Sequence, residues 1–154
     1  MRLAQERGAA EFWLTSNGLL LDDEILDFLR RENFRLILSL DGDEASHDAA
    51  RRDPEGHGTY AQVRNALSLA LTELPETEVS AVVGPHNVQR LARSFLALLE
   101  TGCRKIHFSL DMEADWEESD LQRLESSIAE LAEAYLNQTR AGRAFQLGWL
   151  DGKI

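Results

Sequence analysis

The chain has 154 residues, of which 44% are hydrophobic and 28% charged, a balance typical of one folded globular domain. Acidic residues outnumber basic ones by 27 to 16, and the resulting formal charge of −11 argues against nucleic acid or an anionic membrane as a partner. The single Cys103 excludes a disulfide or a cysteine-rich metal site built from this chain alone. Because the sequence has neither a run of about 20 apolar residues nor a secretion signal in Met1–Arg7, we expect a cytoplasmic protein.

Four short apolar runs, each followed by a segment with helical periodicity, predict four buried strands. The runs are mostly continuous rather than alternating and are rich in aromatic or β-branched residues, as is typical of strands covered on both faces. A further apolar segment near the end of the sequence is a candidate fifth strand. The four predicted strands lie near residues 12–16, 36–40, 79–83 and 106–110, and the candidate fifth lies near 145–150.

The segments that follow the strands are predicted as amphipathic helices. Two of them begin with the pattern of a capping box, in which glutamine follows threonine or serine three residues later: Thr59 with Gln62, and Ser119 with Gln122. The apolar residues of the last helix repeat at helical spacing, so we expect them to face the core. They are Leu121, Leu124, Ile128, Leu131 and Tyr135.

Strands and helices alternate along the chain, which predicts right-handed crossovers and a parallel sheet within one α/β domain spanning residues 1–154. In such folds ligands bind at the carboxyl ends of the strands. The connection Asp41–Gly58, between the second strand and its helix, is much longer than the roughly 2–6 residues usual for such loops. Because long loops in compact domains commonly carry functional residues, the site is predicted at this rim.

Residues at the end of the second strand and in the long loop suit an anionic ligand. Ser39 and Asp41 are two residues apart on a strand, so their side chains are expected on the same face. Arg51 follows in the loop, and its planar guanidinium donates paired hydrogen bonds to a carboxylate or a phosphate. Taken singly, the Asn-Gly and Asp-Gly pairs near these positions are more often simple turns. A second interpretation is a doubly wound phosphate- or metal-binding domain built around Asp41, Asp43 and Asp111.

Four motifs follow one another along the chain: Thr15-Ser16-Asn17-Gly18, Leu38-Ser39-Leu40-Asp41-Gly42, His47-Asp48 with Arg51, and Gly56-x-Gly58-Thr59-Tyr60 before a helix. In this order they resemble the radical S-adenosylmethionine superfamily. The resemblance is closest to the branch with a SPASM or twitch extension, which includes the anaerobic sulfatase-maturating enzymes and peptide maturases. It runs from about Phe12 to Leu150, and one departure is Ser16, where the family usually has threonine.

The resemblance implies a partial (β/α) barrel, in which four parallel βα units form the middle part of a (β/α)6 core. Within it, Ser39 and Arg51 match residues that hold the methionyl carboxylate of S-adenosylmethionine, the implied cofactor. Leu110 matches an apolar residue that packs near the adenine. Asn17 and Asp41 are expected to line the same rim, as site architecture or substrate contacts. No catalytic residue and no metal ligand is carried over to this chain.

Three elements of the complete enzymes are absent from the sequence: the Cys-x-x-x-Cys-x-x-Cys loop, the Gly-Gly-Glu-Pro motif and a cysteine-rich C-terminal extension. A [4Fe–4S] cluster needs several thiolates, so the resemblance places it only in a full-length parent. The implied function is the central fragment of an enzyme that modifies a peptide or protein side chain through a 5′-deoxyadenosyl radical, with this chain inactive alone. The alternative is a cluster-free binding or interaction module. Exposed sheet edges predict self-association.

Overall fold

The computed structural model describes residues 12–151, so Met1–Arg7, considered above for a secretion signal, lies outside the described residues. The strands are β1 (Phe12–Ser16), β2 (Phe34–Ser39), β3 (Glu78–Val83), β4 (Lys105–Leu110) and β5 (Gln146–Leu147). The helices are α1 (Asp23–Arg31), α2 (Glu44–Ala50), α3 (Tyr60–Glu73), α4 (Leu91–Glu100), α5 (Glu118–Arg140) and α6 (Gly148–Asp151), with a 3₁₀ turn at Val88–Arg90 before α4. Within this range, each helix is too short or too polar to cross a lipid bilayer.

The five strands are all parallel and lie side by side in chain order. The predicted α/β fold with a parallel sheet is therefore confirmed. A doubly wound sheet reverses its strand order at a switch point, whereas right-handed crossovers without a reversal place every helix on the same face. The unreversed order thus argues against the doubly wound alternative and for part of a (β/α) barrel.

The helices cover one face of the sheet, and the hydrophobic core lies between them and that face. Alternate residues of the three central strands point into this core and are at most 5% exposed: Leu36, Leu38, Val79, Ala81, Val83, Ile106 and Phe108. The residues between them lie on a second face, called the open face here. Continuous apolar runs predicted cover on both faces, but within residues 12–151 the open face is mostly half-buried or exposed. It carries Trp13, Arg35, Ser39, Ser80, His107 and Ser109.

Helix α3 begins where predicted, but its predicted capping box does not form. The Thr59 side chain makes no capping hydrogen bond, because its hydroxyl contacts His47 at 3.0 Å instead. The Asp48 carboxylate takes over the capping role and accepts the Tyr60 N–H at 2.9 Å. Gln62 donates to a carbonyl of the β1–α1 connection. Tertiary contacts have therefore replaced the local cap.

Helix α5 differs from its prediction in both start and orientation. Its capping box is formed by Glu117 and Asp120 rather than by the predicted serine and glutamine. Leu131 is buried as expected, but Leu121 and Ile128 are 54% and 41% exposed. Leu121 follows the buried Asp120, and Ile128 follows the buried Ser127. One residue corresponds to about 100° of rotation around the helix axis, so Leu121 and Ile128 point away from the core.

The candidate fifth strand at 145–150 narrows to β5, Gln146–Leu147, and the chain then turns into α6. The Asp151 carboxylate accepts the Leu147 N–H at 2.6 Å and also accepts the Tyr135 hydroxyl. These contacts close a helical turn directly after the second residue of the strand. The chain therefore leaves the sheet edge early.

Candidate functional site

The long connection after β2 folds into a short helix and a return turn at the carboxyl end of that strand. Asp43 caps α2 by accepting the Ser46 N–H at 3.0 Å. An isolated antiparallel bridge between Arg52 and Gly58 then closes the loop before α3. The connection is thus ordered by its own contacts, and it returns Arg51 to the end of β2.

A second set of contacts anchors this loop to the segment before α4. The Arg90 guanidinium donates to both oxygens of Asp43, with an Nε–Oδ1 distance of 3.2 Å. Burial raises the pKa of Asp43, but the hydrogen bonds from Arg90 and Ser46 outweigh it and hold that pKa below its ordinary value. Gly42 has a φ of +112°, and a Cβ there would lie 2.2 Å from the Ser94 side chain. Glycine is required because the loop backbone touches α4 directly.

Asp41 and Arg51 form the centre of the site. Arg51 donates from Nε to Asp41 Oδ2 at 2.6 Å and from Nη2 to Oδ1 at 3.2 Å, which makes a bidentate pair. Asp41 Oδ1 also accepts the Val82 N–H at 2.8 Å and so joins the end of β2 to β3. The Asp41 side chain is 2% exposed, whereas that of Arg51 is 31% exposed. A buried carboxylate therefore holds a partly exposed guanidinium at the rim.

Ser39 lies on the open face two residues before Asp41, and its register partner on β3 is Ser80. The side edge of the Arg51 guanidinium, formed by Nε and Nη2, is taken by Asp41. The end edge, formed by Nη1 and the second Nη2 hydrogen, has no acceptor within residues 12–151. An arginine held in this way still presents two parallel N–H donors to an external carboxylate.

The other two predicted site residues lie on the flanking strands. Asn17 follows β1 in an exposed turn, where its side-chain oxygen accepts the Leu19 N–H at 3.2 Å. Leu110 ends β4, is half-buried and packs against the core; strand alternation places it in phase with Ile106 and Phe108. The structure thus joins Asp41 and Arg51 directly, while Asn17 and Leu110 stand on either side of them along the rim.

His47 is completely buried next to this pair. Its Nδ1 accepts the Asp41 N–H at 3.3 Å, and its Nε2 is 3.0 Å from the Thr59 hydroxyl oxygen. Burial and the positive charge of Arg51 lower the pKa of His47, and they outweigh the negative charges of Asp41 and Asp48, which raise it. The motif indicated that His47 lies near the site, but its burial and partners depend on how α2 packs, which the sequence pattern does not specify.

A polar cluster on the open face was not predicted. Glu78 begins β3, and its side chain, 10% exposed, accepts from His107 Nε2 at 2.7 Å and lies 3.8 Å from Lys105 Nζ. The available signal was strand alternation: Glu78 precedes the buried Val79, and His107 follows the buried Ile106, which places both polar residues on the same face.

The acidic residues of the metal-binding alternative are engaged separately. Asp41 pairs with Arg51 and Asp43 pairs with Arg90, while Asp111 accepts a backbone N–H of its own loop. Between residues 12 and 151, no three potential metal-ligating side chains come together. The described part of the chain therefore lends no support to a metal site at this rim.

Cys103 does not fit the role of a cluster ligand. The thiol is 1% exposed and donates to the Lys105 carbonyl at 3.3 Å. Burial raises the pKa of Cys103 to about 11, so the thiolate that iron requires is strongly disfavoured. Since a [4Fe–4S] cluster also needs further thiolates and the sequence has one cysteine, the residues of this chain do not fit that group.

The fold and the site together define a class of protein: part of a parallel (β/α) barrel with an arginine–carboxylate pair at the carboxyl ends of its strands. No protein-family model matches the chain. A serine-type anaerobic sulfatase-maturating enzyme from Bacteroides thetaiotaomicron is 28% identical over 123 residues, which make up 80% of this chain and 30% of that enzyme. An enzyme of the same description from Klebsiella pneumoniae is 26% identical over 95 residues, which make up 62% of this chain and 24% of that enzyme.

Solved structures share the fold. Native anSMEcpe with bound AdoMet, which is S-adenosylmethionine, matches with a TM-score of 0.79 at 20% identity, over 91% of this chain and 40% of that chain. Streptococcus suis SuiB bound to S-adenosylmethionine matches with a TM-score of 0.57 at 11% identity, over 88% of this chain and 30% of that chain. The chain thus spans less than half the length of each relative. The predicted resemblance to anaerobic sulfatase-maturating enzymes is confirmed, and the chain has the fold of the matching part of anSMEcpe.

Proposed function

We propose that this chain supplies part of the S-adenosylmethionine site of an enzyme that modifies a peptide or protein side chain through a 5′-deoxyadenosyl radical. The observation that carries the proposal is the Arg51 guanidinium, which Asp41 clamps along one edge at the end of β2, while residues 12–151 provide no acceptor for the other edge. The solved relatives support it, because anSMEcpe and SuiB share the fold and hold S-adenosylmethionine.

Ser39 and Arg51 are assigned to the methionyl carboxylate of the cofactor. The Ser39 hydroxyl and the end edge of the guanidinium donate to the carboxylate oxygens, and each bond to a charged group is worth about 1.5–3 kcal/mol. Asp41 is assigned to holding Arg51, since its own oxygens are already occupied. Leu110 is assigned to the adenine, and Asn17 to the rim of the site.

S-adenosylmethionine, when bound and cleaved reductively, supplies the 5′-deoxyadenosyl radical. The residues of this chain bind and orient the cofactor through its carboxylate, and none of them is assigned to proton transfer. The iron–sulfur ligands are not assigned to this chain either, because Cys103 does not fit them.

A peptide or protein substrate is supported by anSMEcpe, which was solved with AdoMet and the Cp18Cys peptide. We place the protein in the cytoplasm and exclude nucleic acid on charge grounds.

Isothermal titration calorimetry with S-adenosylmethionine on the full chain tests this function. Arg51→Lys keeps the charge but loses the planar fork, so we expect the affinity to fall about tenfold or more. Arg52→Lys is the matched control, because Arg52 donates to the Gly56 carbonyl on the loop surface; its affinity should stay within about twofold of the native value. Absence of binding to the native chain, or an equal loss in both variants, would overturn the assignment.

A cluster-free binding module is the second candidate, and the buried Cys103, which does not fit a cluster ligand, agrees with it as it does with the first proposal. Such a module binds the cofactor or a peptide without radical chemistry and is stable as a monomer. A barrel fragment instead leaves its open face and sheet edges unsatisfied and associates with itself. Light scattering of the purified chain separates the two, since a cooperative, monomeric protein that still binds S-adenosylmethionine supports the module.

A further inference from the structure

A continuous chain of hydrogen bonds links Asp41, at the start of the connection Asp41–Gly58, to Arg51, which follows α2 within that connection. It begins at the Asp41 N–H, which donates to His47 Nδ1 at 3.3 Å. His47 Nε2 contacts Thr59 Oγ1 at 3.0 Å, and the Thr59 hydroxyl lies 3.4 Å from the Arg51 carbonyl oxygen. His47 is 0% exposed and Thr59 is 6% exposed, so water does not replace these partners.

The order of donors in this chain is compatible with one protonation state of His47. A backbone N–H can only donate, so His47 Nδ1, which receives the Asp41 N–H, carries no proton. In a neutral imidazole the proton then resides on Nε2, which donates to Thr59 Oγ1. The Thr59 hydroxyl is left to donate to the Arg51 carbonyl. A protonated imidazole would set two donors against each other at Nδ1.

The groups around His47 agree with a neutral ring. Asp41 lies at the end of β2, Arg51 directly follows α2, and Asp48 is on the same helix as His47; their charges act in opposite directions. Tyr60 of α3 meets the imidazole edge to face, with ring centroids 6.1 Å apart. Burial is the largest influence and disfavours the charged ring, so the pKa of His47 lies below its ordinary value.

We propose that neutral His47 is a positioning residue, which fixes the backbone at Asp41 and at Arg51 and thereby aims the end edge of the Arg51 guanidinium. The inference rests on the proposed function and adds a form of regulation to it. Protonation of His47 removes the acceptor for the Asp41 N–H and loosens the backbone at Asp41 and at Arg51. Carboxylate binding therefore weakens as the pH falls through the pKa of folded His47, which lies below the ordinary histidine value of about 6.5.

The test compares pH profiles of S-adenosylmethionine affinity, measured by calorimetry between about pH 7.5 and 5.0, for the native chain and its variants at His47 and Thr59. His47→Gln removes the titrating ring, so we expect an affinity about fivefold lower at pH 7.5 and a flatter profile than that of the native chain. Thr59→Val breaks the link from His47 to Arg51 without changing the side-chain volume, and we expect a similar loss. Thr59→Ser restores the hydroxyl and should restore the affinity. Titration of the ligand itself is common to every variant and cancels in the comparison.

Nuclear magnetic resonance of the His47 imidazole nitrogens and the Arg51 Nε–H provides a readout that needs no ligand. We expect the neutral Nε2–H tautomer of His47 at pH 7.5. As His47 is protonated at lower pH, we expect the signal of this tautomer and the Arg51 Nε–H signal to disappear over the same pH range. If the native chain does not bind S-adenosylmethionine, the proposed function is wrong. The His47 and Arg51 signals still test whether His47 positions Arg51. The inference is overturned by an Nδ1–H tautomer, or by native-like binding with a pH profile in His47→Gln that parallels the native one.

Discussion

Replacing Asp41 by asparagine tests the clamp at the centre of the site. The amide oxygen introduced by Asp41→Asn can keep the bond from the Val82 N–H, but the amide nitrogen opposes the Arg51 Nε donor. The Arg51 Nε bond to Oδ2 is lost, and the Nη2 bond to the retained oxygen loses the negative charge of its acceptor; a hydrogen bond to a charged group is worth about 1.5–3 kcal/mol. Because Arg51 is 31% exposed and recovers water on one side, we expect the free energy of unfolding to fall by about 2–4 kcal/mol.

Equilibrium urea unfolding of the two proteins measures this loss, with Asp27→Asn as the matched control. Asp27 pairs with Arg30 on α1, where the two side chains are 46% and 52% exposed, so its substitution should cost no more than about 1 kcal/mol. Similar losses in both variants would refute the reasoning, since burial would then confer no additional cost. An unchanged urea m-value is needed for the comparison, because a change indicates an altered unfolded or native state.

Three further outcomes are expected from the structure. Gly42→Ala should destabilise the chain by about 2 kcal/mol more than Gly142→Ala in urea unfolding, because both positions have positive φ but only a Cβ at Gly42 meets α4; equal losses would contradict the close contact. The pKa of His47 is lowered on folding, so the contribution of His47 to stability is complete above about pH 6.5 and is lost as the pH falls through the folded value. Thermal unfolding should therefore show that the melting temperature falls less on acidification in His47→Gln than in the native chain. Identical slopes of melting temperature against pH in the two proteins would contradict this expectation. The exposed Phe12 and Trp13 of edge strand β1 should promote self-association, so the Trp13→Lys variant should scatter less light at equal concentration, and an already monomeric native chain would refute this.

The parallel fold was predictable because two periodicities alternate along the chain. Continuous apolar runs such as Leu36–Leu40 predict strands, and helical stripes such as that through Val63 and Leu67 predict amphipathic helices. A layer of such helices buries its stripes against one face of a parallel sheet. The length of the β2–α3 connection also indicated where Arg51 lies. The partner of Arg51 was not predictable in the same way, since Ser39 and Asp41 share a face and spacing alone does not rank them as acceptors.

The wrong predictions share a physical origin, which is that tertiary contacts outcompete local patterns. Thr59 and Gln62 have the spacing of a capping box, yet the Thr59 hydroxyl bonds to a buried histidine twelve residues earlier in the chain. A hydroxyl that satisfies His47 removes a larger desolvation cost than one that caps an exposed helix end. The position of the α5 core face likewise depends on how the helix lies against α4, which its own apolar residues determine only to within one position.

The pairing of β2 with β3 explains why the site and the fold depend on the same carboxylate. Their register covers Ile37–Ser39 against Glu78–Ser80, so the strands separate before β3 ends. The Val82 N–H is then left without a backbone acceptor on β2, and Asp41 Oδ1 supplies one at 2.8 Å. That buried negative charge needs a counterion, which Arg51 provides from the loop. Since the arginine is required for the stability of the strand end, it is already held in place before any ligand arrives, and an external carboxylate meets an ordered donor pair.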